Sequence, residues 1–234
     1  MKSFAARQVR RALEARGFEL RRSSVTRRIR LMQLHGVDLV MDVGAAGGSY
    51  GQQLRDHGYT GRIVSFEPLA ASFAALAQAT AHDPEWEIHN LALGDVAMTA
   101  DLNVATNRDS SSLLPMLDSH RAAAPATTMA RSETVQVARL DDVVGDLSGR
   151  RPFLKIDTQG YERQVLAGGP HAVEACVGLQ LELSFIPLYE GGMLVDEAVT
   201  WAYNAGFRLM SVEQGFAASD GRILQVDGLF FRHE

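Results

Sequence analysis

Apolar and polar positions along the 234-residue chain fall into short runs of two kinds that alternate with each other. Asp38 to Val43, Arg62 to Phe66, Trp86 to Asn90, Phe153 to Asp157, Val177 to Leu183, Phe207 to Val212 and Gly228 to Arg232 read as seven strands. Between most of them, Gly51 to His57, Ala70 to Ala81, Leu140 to Leu147, Tyr161 to Ala167 and Asp196 to Ala205 carry helical spacing. Strands separated by helices predict an α/β domain with a mainly parallel sheet covered on both faces. The last two strands are joined by a Ser219-Asp220-Gly221 turn with no helix between them, so the final strand is expected to run antiparallel. Thr106 to Glu133, rich in Ser, Ala, Thr and Pro, fits neither period and reads as a long active-site cover.

Ahead of this pattern stands a basic arm, residues 1–36, leaving 37–234 as the main domain. Phe4, Val9, Ala12 and Leu13 share a helical face that Gly17 is placed to end, and a second short helix around Val25, Ile29 and Met32 starts at Ser23 or Ser24. Ten of the 23 basic residues lie in the first 30 positions against two of the 28 acids, so the remainder carries 13 bases and 26 acids. The arm reads first as a solvated helix on the main domain, with contact to an anionic membrane surface as an alternative. The acidic body argues against nucleic acid as a partner. No uncharged stretch approaches the roughly 20 apolar residues of a membrane span. The lone Cys176 can form no internal disulfide and no sulfur-rich metal site, which fits a reducing, cytoplasmic location.

The strongest chemical signal is Asp42-Val43-Gly44-Ala45-Ala46-Gly47-Gly48, where the first strand must turn into a helix. Glycines there let the backbone approach a ligand at the carboxyl end of the strand. Glu67, followed by Pro68, closes the second strand and can accept both hydroxyls of a ribose. The G-x-G-x-x-G spacing that a dinucleotide pyrophosphate requires is missing, so the pattern favours a nucleoside without phosphates. S-adenosylmethionine fits, with Asp42 facing its amino group and Asp95 within reach of adenine. An NAD-type oxidoreductase or epimerase is the alternative, and a non-catalytic cofactor-binding protein a third.

A second constellation runs from Phe153 to Glu162. Strand alternation puts Lys155 and Asp157 on one side and Leu154 and Ile156 on the other, so two charges share a face of an otherwise apolar element. Glu162 falls in the first turn of the next helix, where capping and chemistry explain it equally well. In the following strand Glu182 alternates with Leu181 and Leu183.

Taken in order, Asp42-Val43-Gly44-Ala45, Phe66-Glu67-Pro68, Ala92-Leu93-Gly94-Asp95, Ser111-Ser112, Leu140-Asp141-Asp142-Val143, Lys155-Ile156-Asp157 through Gly160-Tyr161-Glu162, and Leu181-Glu182 with Tyr189-Glu190-Gly191-Gly192 resemble the FkbM-type methyltransferases. The resemblance covers about Val37 to the carboxyl end. It implies a Rossmann-like class I methyltransferase fold and S-adenosylmethionine-dependent methylation of a hydroxyl group, on a sugar, glycolipid or other natural-product scaffold. On this view Asp42, Gly44, Ala45, Gly47, Glu67, Pro68 and Asp95 hold the cofactor. Asp157 and Glu182, with Lys155 beside them, form the catalytic end. Two chemical versions stay open: the carboxylates hold Mg²⁺, or one acts as general base with Lys155 stabilising its charge. His120, in the cover, is the next candidate for a base.

Overall fold

The computed structural model, which describes residues 4–18 and 23–232, begins with two helices, α1 (Phe4–Glu14) and α2 (Ser24–Leu34). Alternation then follows as β1 (Leu39–Val43), α3 (Ser49–Asp56), β2 (Arg62–Phe66), α4 (Ala70–Thr80) and β3 (Trp86–His89). An interruption comprises β4 (Ala92–Leu93), β5 (Met98–Ala105), a 3₁₀ turn at Arg108–Ser110, α5 (Asp118–Ala123) and β6 (Met129–Ala138). The pattern resumes with α6 (Leu140–Val143), β7 (Pro152–Ile156), α7 (Glu162–Ala167), α8 (Pro170–Ala175), β8 (Gly178–Ser184) and α9 (Val195–Asn204), and the hairpin β9 (Phe207–Gln214) and β10 (Gln225–Arg232) follows.

Seven strands form one sheet in the order β3-β2-β1-β7-β8-β10-β9. The first five are mutually parallel, whereas β10 is antiparallel to both β8 and β9. β1 and β7 are buried along their whole length, as expected of strands covered on both faces. The chain moves outward from β1 to β3 and then returns to the other side of β1 as β7. That reversal opens a crevice at the carboxyl ends of β1 and β7.

The pleat sorts the core into two layers. Met41, Val43, Leu154, Ile156, Leu179 and Leu181 pack against Val165 and Leu166 of α7 and Ala198 and Ala202 of α9. Val40, Ile63, Phe153, Leu229 and Phe231 pack on the other side against Ile29 and Met32 of α2 and Tyr50 and Leu54 of α3. Helices therefore cover both faces.

Three features depart from the sequence reading. Residues 98–105 and 129–138 pair as an antiparallel ribbon that joins β4 in a second, three-stranded sheet, so the end of the expected irregular stretch is a strand. Its buried side, Leu102, Val104, Val135 and Val137 with Leu69 and Ala92, is a small core of its own, and its outer positions are too polar to announce a strand. The helix expected from Leu140 to Leu147 is a single turn, because Gly145, at φ 69°, already leaves the helical region. Finally, the basic arm divides. Val9 on α1 is exposed, but Arg28, Ile29 and Met32 of α2 are buried in the body of the protein.

Candidate active site

A cavity of about 420 Å³ opens at the carboxyl ends of the parallel strands, within the usual size range of ligand sites. Its wall at β1 is the turn Gly44-Ala45-Ala46, whose first two amides donate to the Phe66 carbonyl at 3.0 and 3.1 Å. Gly44 has φ 76°, and a Cβ there would stand 1.9 Å from the backbone oxygen of Asp157. Only glycine lets the ends of β1 and β7 come this close.

Glu67 lines the cavity beside Pro68. Its two carboxylate oxygens accept from the amides of Ala46 and Leu69, each at 2.8 Å, so one side chain ties the glycine turn to the loop after β2. Burial raises its pKa; those two bonds and the Lys155 charge oppose the rise. Each oxygen keeps a further lone pair for a ligand hydroxyl. Leu91, Leu93, Leu102 and Leu113 make the neighbouring wall apolar.

Beneath the turn, register matching builds a polar row across the sheet. Asp42 pairs with Ser65 on one side and Lys155 on the other, and Lys155 pairs with Gln180. The Lys155 ammonium lies 2.9 Å from Asp42 Oδ1 and donates to the Gly44 carbonyl at 2.7 Å, while Asp157 Oδ2 is 3.9 Å away. Burial works to lower the pKa of this lysine, but the Asp42 and Asp157 charges outweigh it and hold the group above its ordinary value.

Asp157 is the partly exposed carboxylate at the end of β7 and lines the cavity. Gln159 positions it. The Gln159 amide nitrogen donates to Asp157 Oδ1 at 2.9 Å and lies 3.2 Å from both Glu182 oxygens, while its Oε1 is 2.8 Å from the Tyr189 hydroxyl. The side-chain oxygens of Asp157 and Glu182 on one side and the Tyr189 hydroxyl on the other set which end of the amide faces each. Gln159 also has φ 55°, uncommon for a residue with a side chain and frequent where function over-determines the backbone. Sequence reading passed over Gln159; its place between Asp157-Thr158 and Gly160 was the available signal. Ser112 of the expected cover donates to the Gln159 carbonyl at 2.7 Å, and Arg108, Asp109, Ser111 and Leu113 line the cavity with it.

The structure thus brings Gly44, Ala45, Glu67, Pro68, Lys155 and Asp157 to one cavity. Asp42 lies under it with no exposed surface, occupied by Lys155. Gly47 and Asp95 stand outside the lining, Asp95 because the chain after β3 turns into β4 and the second sheet. Glu182 sits behind Gln159, and its burial, with the Asp157, Glu162 and Asp227 charges, raises its pKa well above the carboxylate range. Glu162 accepts from the Thr158 and Gly160 amides at 3.1 and 3.0 Å and caps the turn. Buried His120 packs against Tyr189 and Phe216, and burial lowers its pKa. Among the described residues no three His, Cys, Asp or Glu side chains converge to hold a metal ion, and the Gln159 amide already bridges Asp157 and Glu182. This donor set does not fit Mg²⁺. Among the same residues no helix is long and apolar enough to cross a membrane.

Residues 42–209 match the family model described as the methyltransferase FkbM domain. No curated protein matches the chain in sequence. Among solved structures, the methyltransferase FkbM of Methylobacillus flagellatus KT is 14% identical, with a TM-score of 0.49, over 83% of this chain and 43% of that one, so the chain spans less than half the length of that protein. The methyltransferase domain of bacterial CtHen1-C (10% identity, TM-score 0.50, 90% and 97% of the two chains) and a putative rRNA-methylase from Clostridium thermocellum (10%, 0.50, 92% and 98%) share the fold.

Proposed function

Because the chain belongs to the FkbM methyltransferase family, we propose that it transfers a methyl group from S-adenosylmethionine to a hydroxyl oxygen of a sugar, glycolipid or similar natural-product scaffold. The observation that carries this reading is the joint placement of Glu67 and Asp157 in one cavity, flanking the side-chain-poor turn Gly44-Ala45-Ala46. The residues present fit the cofactor. Glu67 faces the ribose hydroxyls, Leu91, Leu93, Leu102 and Leu113 offer an apolar wall to adenine, and the turn leaves room for the methionine chain. Five carboxylates, those of Glu67, Asp109, Asp157, Glu213 and Asp227, line the cavity against three bases, Arg28, Arg108 and Lys155. That balance favours a cationic sulfonium and opposes a polyphosphate backbone.

When bound, S-adenosylmethionine supplies an electrophilic methyl carbon. Alcohols are weak nucleophiles, so the acceptor hydroxyl needs somewhere to leave its proton; Asp157 takes it on the oxygen not held by Gln159. Lys155 stays charged, and its ammonium lies 3.9 Å from Asp157 Oδ2, beside the carboxylate that takes the proton. The Gln159–Tyr189–Ser112 contacts fix the approach of the acceptor, and residues 108–113 shield the centre from water. Calorimetry against S-adenosylhomocysteine and NAD tests the cofactor, and mass-spectrometric screening of methyl transfer to glycosides and polyols tests the acceptor. Tight NAD binding without a response to S-adenosylhomocysteine overturns the proposal.

A further inference from the structure

The cavity continues beyond the groups that a cofactor can reach. From β2, which precedes Glu67, the sheet runs through β1, β7 and β8 to β10 and β9. At about 4.8 Å per strand, Asp227 on β10 stands ~19 Å and Glu213 on β9 ~24 Å across the sheet from Glu67. A ribose held at Glu67, with the five bonds from its C5′ to the methionine carboxylate, covers roughly 10–12 Å, which ends near β7. The lining nevertheless goes on through Gln180, Asp227 and Glu213, roofed by Arg28 of α2 and Tyr50 of α3.

We propose that the compartment formed by Arg28, Tyr50, Gln180, Glu213, Gln214 and Asp227 is the acceptor subsite, and that it takes an uncharged, hydroxyl-rich molecule of the glycoside or polyol class. This rests on the methyltransferase reading and adds to it the place and chemistry of acceptor binding. Three observations support it. First, Arg28 is 5% exposed and its guanidinium lies 4.6 Å from the centre of the Tyr50 ring. Its Nε and Nη2 both donate to Glu213, but the buried Nη1 has no hydrogen-bond partner among the described residues. A buried donor left without an acceptor is costly unless a ligand supplies one.

Second, the lining mixes donors and acceptors as hydroxyl groups require, each hydroxyl donating once and accepting twice. The Tyr50 hydroxyl donates to Gln180 Oε1 at 3.0 Å, and Asp227 and Glu213 face each other in register on adjacent strands. One arginine against two carboxylates leaves the compartment unfavourable to a phosphate. Third, Arg28, Glu213, Gln214 and Asp227 all lie outside the residues 42–209 that the family model matches. Acceptor recognition thus falls largely on positions outside the matched stretch, where residues can change without altering Gly44, Glu67 or Asp157.

The test uses the full chain loaded with S-adenosylhomocysteine and ligand-observed NMR against methyl glycosides and inositol, with the corresponding sugar phosphates as the second arm. Uncharged members are expected to bind and phosphates not. Arg28→Met and the isosteric Asp227→Asn should each weaken glycoside binding about tenfold or more, with S-adenosylhomocysteine affinity held within about twofold, which also reports that the variants are folded. Asp227→Asn carries the test if Arg28→Met does not fold. Binding of no uncharged member, or a preference for phosphates, overturns the assignment. A parallel fall in S-adenosylhomocysteine affinity also overturns it and gives the compartment to the methionine end. If the unsubstituted chain binds no S-adenosylhomocysteine, the methyltransferase reading fails first.

Discussion

Lys155 and Asp42 occupy matched positions on the adjacent parallel strands β7 and β1, and their charged groups meet at 2.9 Å where neither side chain is appreciably exposed. The pair does more than neutralise two charges. By donating also to the Gly44 carbonyl, Lys155 fixes the glycine turn from below, so the wall of the cavity at β1 is held by an ion pair inside the sheet. Both residues are thereby positioning residues.

Breaking that pair is expected to destabilise the fold. Lys155→Met leaves Asp42 buried and uncompensated, and about 3–5 kcal/mol of unfolding free energy should be lost. Urea denaturation measures it. The double variant Lys155→Met with Asp42→Leu should recover much of the loss, since a buried pair contributes less than its removal by halves suggests. A loss in the double variant equal to the sum of the losses in Lys155→Met and Asp42→Leu would show that the two side chains act independently.

Glu67 makes a ligand prediction. Glu67→Gln keeps the size of the side chain but removes its charge and exchanges one acceptor oxygen for a donor that cannot face the Ala46 or Leu69 amide. S-adenosylhomocysteine binding should weaken by about 1.5–3 kcal/mol, the range for hydrogen bonds to a charged group. Calorimetry that finds an unchanged dissociation constant would reduce Glu67 to a structural tie between two loops.

Asp157→Asn preserves shape and removes basicity. Turnover should fall roughly 10²-fold or more while cofactor affinity persists. Chelator treatment of the unsubstituted protein is expected to leave the rate unchanged. A chelator-sensitive rate that added Mg²⁺ restores would return Asp157 and Glu182 to the role of metal ligands, and full activity in Asp157→Asn would move the base elsewhere.

Asp227 sets a pH dependence whose sign follows from its surroundings. Burial, and after it the Asp157 charge, push this carboxyl up to about 6, from roughly 4 in an unfolded chain. The folded protein therefore holds the proton more tightly than the unfolded one. Stability from this group is present at low pH and falls as pH rises through the interval between the two values, by about 3 kcal/mol. Urea midpoints at pH 4.5 and 7.5 should differ less in Asp227→Asn than in the unsubstituted protein; an identical difference in both would show that Asp227 titrates normally.

The alternation of apolar runs with helical segments was enough to establish the α/β class, the parallel strands and the antiparallel end, because β1 and β7 are covered on both faces and are apolar apart from Asp42 and Lys155, while β8 keeps a leucine at every second position from Leu179 to Leu183. That the turn at Gly44, Glu67 and Asp157 stand together at the carboxyl ends of the strands was legible for the same local reason: each stands where a strand ends, and a strand end is readable from a few neighbouring residues. Contacts between distant segments were not. Asp42 and Asp95 have the residue type of ligand-binding groups, but the matched register of β7 and β1 sets Lys155 against Asp42 beneath the cavity, and Asp95 stands beyond the lining residues Ala92 and Leu93. Arg28 looked like one more charge on a solvated helix until α2 was seated over Tyr50 and Glu213, 185 residues further along the chain. Periodicity within one element says which side is apolar; which partner lies across from it depends on the packing of elements far apart in sequence.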